Sequence, residues 1–127
     1  MEKAGLLRLP YVPDDCLGNF HLFYLLLPDG AARDGLQAHL NARGIHAVFH
    51  YVPLHSSPMG QRYGYQAVDL PVTEEVSRRL LRLPLYHEMT ETEQAEVIGE
   101  VQAWCRGRRG ASGVVIPGVC EVVSHHE

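Results

Sequence analysis

Residues 45–55 read Ile45-His46-Ala47-Val48-Phe49-His50-Tyr51-Val52-Pro53-Leu54-His55. Positions 45–52 alternate and are rich in β-branched and aromatic side chains, the pattern of a strand with one buried face. Pro53 has no N–H to give to a ladder and ends it. Upstream, residues 20–27 are apolar on both faces and stop at the turn signal Pro28-Asp29-Gly30, which predicts a central strand. Between these strands Asp29 caps a helix to about Arg43, with Ala32, Leu36 and Leu40 on one stripe. Gly44 stands where a left-handed C-terminal cap is wanted. Before the first strand, residues 6–13 are apolar and broken by prolines, which suits an entry strand or an extended lead-in.

Downstream, residues 54–70 form a long Gly-, Ser- and Tyr-rich loop with room for a short helix at 59–63, and long loops in compact domains carry function. Thr73 is expected to cap a helix to about Arg82, with Glu74 and Glu75 near its positive end and Val76 and Leu80 facing the core. Leu83-Pro84-Leu85-Tyr86 reads as a short third strand, its proline placing it at an edge or a strand start. Thr90 and Glu93 make a capping box for a last helix. Its apolar face is Val97, Ile98, Val101, Trp104 and Cys105, and Gly107 and Gly110 are expected to stop it. The order predicts an α+β domain, a small sheet covered by helices, over residues 1–105. Residues 106–127 form a tail, either disordered or adding a weak strand at Val114-Val115-Ile116.

Composition narrows the function. The 127 residues suffice for one domain with a real core. A net charge of −4 argues against nucleic acid, whose phosphates require clustered Lys and Arg. Arg106, Arg108 and Arg109 form only a small cluster, read as a solvated helix end. No apolar run approaches the ~20 residues that span a bilayer, so no membrane partner is expected. No secretory signal is legible. Cys16, Cys105 and Cys120 fit no C-x-x-C pattern, which suits a reduced, cytoplasmic protein.

Several side chains are candidates for chemistry. His46, His50 and His55 are the densest group of ligand-type residues, with 46 and 50 on one face of a strand. No Cys, Asp or Glu lies near in sequence to complete a zinc site, so surface or partly buried histidines are the simpler reading. His55 leaves the strand beside Tyr51, Ser56 and Ser57, placing imidazole and hydroxyl donors at a loop mouth that would suit a sugar or phosphate. The plain alternative is a tight polar turn. Tyr63 and Tyr65 flank Gly64 and would either stack on a ring or pin their own loop. Glu74 and Glu75 point apart on a helix and read as structural. No G-x-S-x-G elbow, Walker loop or dinucleotide fingerprint is present.

The segment F-H-Y-V-P-L-H-S-S-P-M-G-Q-R-Y-G within residues 45–64, followed by L-P-V-T-E-E-V-S-R-R-L-L-R-L-P-L-Y over 70–86, resembles the DegT/DnrJ/EryC1/StrS family of sugar-nucleotide aminotransferases. The resemblance covers residues 6–104 and points to the branch that makes 4-amino-4,6-dideoxy sugars. It implies the C-terminal small domain of the fold type I, aspartate-aminotransferase architecture. It also implies amino transfer from glutamate to C4 of a dTDP-4-keto-6-deoxyhexose. Family members hold pyridoxal phosphate as a Schiff base on a lysine of a large domain, and Lys3 is the only lysine here. The resemblance therefore implies no cofactor in this chain, no catalytic residue, and no transaminase activity by the chain alone. A large pyridoxal-phosphate-binding domain is the partner, in cis or in trans, and a dTDP-sugar the ligand. By position Tyr51 and His55 would lie at the substrate cleft, with Ser56 and Tyr63 beside them. The alternative is a free-standing, non-catalytic module that binds a sugar nucleotide or a protein. An apolar patch left by the absent domain, sought at Leu6, Leu7 and Leu9, would lead to self-association unless these residues belong to the domain's own sheet.

Overall fold

The computed structural model describes residues 1–2 and 5–111. Lys3, the tail beyond Ala111 and Cys120 lie outside the described residues, as does the strand expected at 114–116. The elements run β1 (Phe23–Leu26), α1 (Gly30–Asn41), β2 (Val48–Phe49), α2 (Pro58–Arg62), a 3-10 turn (Ala67–Asp69), α3 (Pro71–Arg79), β3 (Leu80–Leu83) and α4 (Glu91–Ala111). The sheet is antiparallel with order β1-β3-β2. The α+β class is as expected.

α1 forms where the pattern places it. Asp29 Oδ1 accepts from the Ala32 N–H at 2.7 Å and satisfies one of the orphan donors of the first turn. Ala32, Leu36 and Leu40 are wholly buried. Gly44 takes φ +75°, the left-handed conformation that glycine reaches without a Cβ clash. Across from this stripe α4 contributes Val97, Val101 and Cys105 to the same core. Ile98, expected on that face, is about half exposed, and Trp104 packs at the margin. A polar clamp closes the far side: His39 Nε2 lies 2.9 Å from Glu100 and Arg43 Nε 2.7 Å from the same carboxylate oxygen.

The sheet departs from expectation in its order. β3, not β1, is central. Leu81 pairs with Leu25 on one side and Phe49 on the other, and it is fully buried. The strand ends at Leu83 because Pro84 has no N–H for a ladder. β1 starts only at Phe23, since Phe20 sits at φ +46° and cannot belong to an extended strand. Its outer edge is met at one point, where Arg8 and Leu26 exchange backbone hydrogen bonds of 2.8 and 3.0 Å. That bridge brings in the lead-in: Leu7 is core and Leu6 packs against it, so only Leu9 of the three leucines is exposed. The lead-in therefore belongs to this domain's own packing.

β2 is two residues long rather than eight. Ala47 gives its N–H to Asn41 Oδ1 at 3.1 Å and its carbonyl accepts from Gln37 Nε2 at 3.2 Å, so α1 takes the groups a ladder would use. Beyond Phe49 only Leu80 of β3 remains on the facing strand before α3 ends at Arg79.

α3 starts earlier than expected, at Pro71, whose fixed φ suits the first helical position. Leu70 is its N-cap residue and gives no side-chain cap; Thr73 lies inside the first turn. The helix stops at Arg79, and Leu80 turns directly into β3 with φ −83° and ψ 128°. Leu80 is thus a strand residue and Val76 is exposed, which corrects their expected place on a helix core face. Gly107 and Gly110 do not stop α4, which runs to Ala111. Each glycine costs such a helix about 1 kcal/mol relative to alanine without terminating it.

The α4 capping box is present. Glu93 Oε2 accepts from the Thr90 N–H at 2.8 Å, and Thr90 Oγ1 accepts from the Glu93 N–H at 3.2 Å. The backbone and hydroxyl bonds from Thr90, then the Tyr86 hydroxyl, hold the Glu93 carboxyl below the usual carboxylate range. A carboxylate depressed on folding stabilises the fold above its unfolded value and loses that effect as pH falls through the folded one. Glu93→Gln is therefore expected to lower Tm at neutral pH, with the gap to the parent closing as pH falls below the ordinary glutamate range and through the lowered folded one. A gap of constant size across a pH series of melting curves would contradict this assignment.

Candidate functional site

The chain leaving β2 turns sharply over residues 53–57 and enters α2. Ser57 closes the turn: its N–H donates to the Pro53 carbonyl at 3.0 Å and its hydroxyl to the Leu54 carbonyl at 2.7 Å. The same hydroxyl oxygen accepts from the Gly60 N–H at 3.1 Å, capping α2. Gly60 is required by closeness rather than by dihedral. A Cβ there would stand 2.1 Å from the Leu54 carbonyl oxygen and 2.5 Å from that of His55. The loop that composition marked as irregular is therefore a tightly bonded knot.

An open pocket of about 320 Å³ lies between this turn, α1 and α3. β2 and the chain after it supply Phe49, Tyr51, Val52 and Pro53, and the turn supplies Ser56. From α3 come Glu74, Ser77 and Arg78, and from α1 Arg33. Arg33 is largely buried, with Nε 2.6 Å from Asp34 Oδ1 and its guanidinium carbon 5.9 Å from the Phe49 ring centre. Arg78 is mostly exposed and bonds Glu75 at 2.8 Å. Glu75 also bonds Arg79 at 2.8 Å, and chiefly through Arg79 its carboxyl lies below the usual range.

Of the residues picked from sequence, Tyr51 and Ser56 reach this pocket together. His55 lies behind it, 8% exposed, with Nε2 3.1 Å from Glu74 Oε1. The two atoms are close enough for an ion pair but not aligned as a hydrogen bond, and both are shut off from solvent. Tyr63 ends α2, is exposed and stays outside the pocket. Tyr65 lines a separate open hollow with Gln61 and Gln66.

The three histidines do not converge. His46 is exposed, while His50 is half-buried with its ring 4.7 Å from that of Tyr51. Among the described residues no three of His, Cys, Asp and Glu are grouped to hold a metal. Nor is any described helix long and apolar enough to cross a membrane.

Glu74, Arg33 and Ser77 are pocket residues that sequence reasoning missed. Glu74 read as a helix-start charge, and only the fold sends it inward to His55 while Glu75 points outward to the arginines. Arg33 carried no signal, being one polar position on an amphipathic helix. Chemically the lining offers hydroxyl donors, one carboxylate acceptor, two guanidinium groups and two aromatic faces, a set suited to a polyol or phosphorylated ligand. It includes no lysine, so pyridoxal phosphate finds no Schiff-base amine here and this pocket does not fit that cofactor.

A family model described as the DegT/DnrJ/EryC1/StrS aminotransferase family matches residues 2–102. The chain belongs to this family. It is 31% identical over 99 residues to a pleiotropic regulatory protein of Geobacillus stearothermophilus, covering 77% of this chain and 27% of that one. It is 35% identical over 104 residues to a dTDP-3-amino-3,4,6-trideoxy-alpha-D-glucose transaminase of Streptomyces venezuelae, covering 80% and 27%. With a dTDP-4-dehydro-2,3,6-trideoxy-D-glucose 4-aminotransferase of Saccharopolyspora spinosa it shares 33% identity over 102 residues, 80% of this chain and 25% of that one. The crystal structure of the aminotransferase TlmJ from Streptoalloteichus hindustanus superposes with TM-score 0.73 at 27% identity, over 86% of this chain and 29% of TlmJ. The chain thus spans about a quarter of the length of the curated relatives it matches.

The closeness at Gly60 makes a direct prediction. Gly60→Ala drives a methyl into two backbone carbonyls that the turn cannot easily move, so urea unfolding is expected to show a loss of about 1–3 kcal/mol. An unchanged midpoint would mean that the 53–57 turn is looser than described.

Proposed function

We propose that this chain supplies the small C-terminal domain of a pyridoxal-phosphate-dependent sugar-nucleotide aminotransferase and binds the nucleotide sugar without doing the chemistry itself. The observation that carries the reading is a family match over most of the chain that spans only about a quarter of its relatives. The cofactor chemistry then belongs to a large domain, in cis or in trans, and the chain alone is inactive. On this reading the domain proper is residues 1–105, although α4 itself continues to Ala111, the tail is 106–127, and the setting is cytoplasmic.

The substrate reading is a dTDP-4-keto-6-deoxyhexose aminated at C4 by glutamate. Two relatives are named for dTDP-sugars, one aminated at C3 and one at C4, so the nucleotide has more support than the carbon. Tyr51 and Ser56 are the proposed contacts in the pocket, His55 stands behind them, and Tyr63 would join only where a partner surface brings ligand across α2. Surface chemistry supports a docking partner. α3 contributes no buried residue, and Leu54, Val68 and Val72 are each more than 70% exposed, an apolar surface of the kind that packs on another domain. The same surface would let the isolated chain self-associate. A free-standing binding module is the second reading, favoured by the relative named as a regulatory protein rather than an enzyme.

Two measurements test this. With pyridoxal phosphate, glutamate and a dTDP-4-keto-6-deoxyhexose, the chain alone is expected to yield no amino sugar, and product formation would refute its inactivity. By calorimetry the chain is expected to bind dTDP-glucose, with Tyr51→Ala weakening it about tenfold through loss of an aromatic and hydroxyl contact. No binding by the parent chain would remove the ligand reading.

A further inference from the structure

The contact between His55 and Glu74 joins two elements that little else joins. Among the described residues no other hydrogen bond or ion pair runs from the 53–57 turn to α3. The turn's remaining bonds stay within itself and α2, and those of α3 go to its own residues, to its N-cap residue Leu70 and to Leu27. Yet the pocket has one wall on each element, Tyr51 and Ser56 on the turn side and Glu74 and Ser77 on α3.

The two oxygens of Glu74 are differently placed. Oε1 faces His55 Nε2 at 3.1 Å and is out of solvent. The other oxygen is not among the buried, unpartnered atoms, and the residue lines the pocket. Two lone pairs at 3.1 Å would repel, so the favourable tautomer has the imidazole proton on Nε2, in a contact that is close but not aligned as a hydrogen bond. Buried polar atoms short of an aligned hydrogen bond are costly and call for an explanation.

We infer that His55 is the positioning residue of this pocket, acting through Glu74: it holds Oε1 inside the fold and leaves the second oxygen on the wall as the acceptor for a ligand hydroxyl. Glu74 becomes a ligand contact that the sequence did not mark, and His55 acts from behind without touching ligand. The hydroxyl class follows from a carboxylate that accepts only, set among Ser56, Ser77 and Tyr51, which can donate or accept as a polyol requires. That the polyol is the sugar of a nucleotide sugar rests on the function proposed above.

The test uses the full chain with His55→Ala, His55→Gln and Glu74→Gln. Glutamine places an N–H donor near the position of Nε2, so His55→Gln is the rescue variant, and it keeps the test open where the alanine variant does not fold. In the ligand-free protein the Glu74 carboxyl 13C resonance is expected to shift in His55→Ala and to return towards the parent position in His55→Gln. A resonance indifferent to both changes overturns the inference. In titrations with dTDP-glucose and with dTDP, Glu74→Gln and His55→Ala are expected to remove about tenfold of the sugar's extra affinity, while dTDP binding and His55→Gln stay near the parent. A sugar margin unchanged in Glu74→Gln also overturns it. Binding of neither nucleotide by the parent chain sinks the sugar-nucleotide reading alone, and the 13C result then decides the role of His55.

Discussion

The structure depends on the helix-to-strand junction at Arg79 and Leu80. Because α3 passes into the central strand with no loop, the end of the helix is tied to the middle of the sheet. Leu81, one residue on, is fully buried between both neighbouring strands. Arg79 secures the junction twice: its carbonyl accepts from the Leu27 N–H at 3.0 Å, and its guanidinium returns a 2.7 Å hydrogen bond to the Leu27 carbonyl. A loop would absorb small shifts between helix and sheet, and this junction passes them on.

From that constraint the pocket follows. With α3 held at its C-terminal end, Glu74 one turn into the helix has a fixed place beside the chain leaving β2. His55 meets it there, and the knot around Ser57 and Gly60 makes the opposite wall stiff. A polar pocket between two elements that share no other hydrogen bond or ion pair among the described residues is then spanned by one buried contact. Its orientation matters more than its energy, since buried ionisable pairs bring little net stability once desolvation is counted.

Under the function proposed above, family membership and pocket chemistry meet in a division of labour. A domain without a lysine in its pocket cannot form the covalent link to cofactor that transamination needs, but it can contribute shape, hydroxyls and one fixed carboxylate. The exposed apolar residues along 54–76 suit this arrangement, because a helix such as α3, with no buried residue of its own, gains most of its packing from a neighbour.

Much of the fold was legible because it rests on short-range rules. The Asp29 cap, the Ala32, Leu36 and Leu40 stripe, the turn at Gly44 and the Thr90–Glu93 box each involve residues a few positions apart. So was the family, carried by two blocks in fixed order, and Tyr51 and Ser56, read together from the sequence, line one pocket. The strand order was not legible, because edge and centre are decided by which strands pair, and a run such as 20–27 looks apolar on both faces wherever it lies. Nor was the limit of α3, where helical spacing continued across Leu80 while pairing with β1 and β2 pulled that residue into the sheet. His55 illustrates the difference most clearly. Its position after Pro53 marked it for a site, but its burial and its partner Glu74 come from a contact between residues far apart in the chain. Local sequence determined which segments are helices and turns, and tertiary packing decided which strand is central and which carboxylate lines the pocket, because only long-range contacts set those choices.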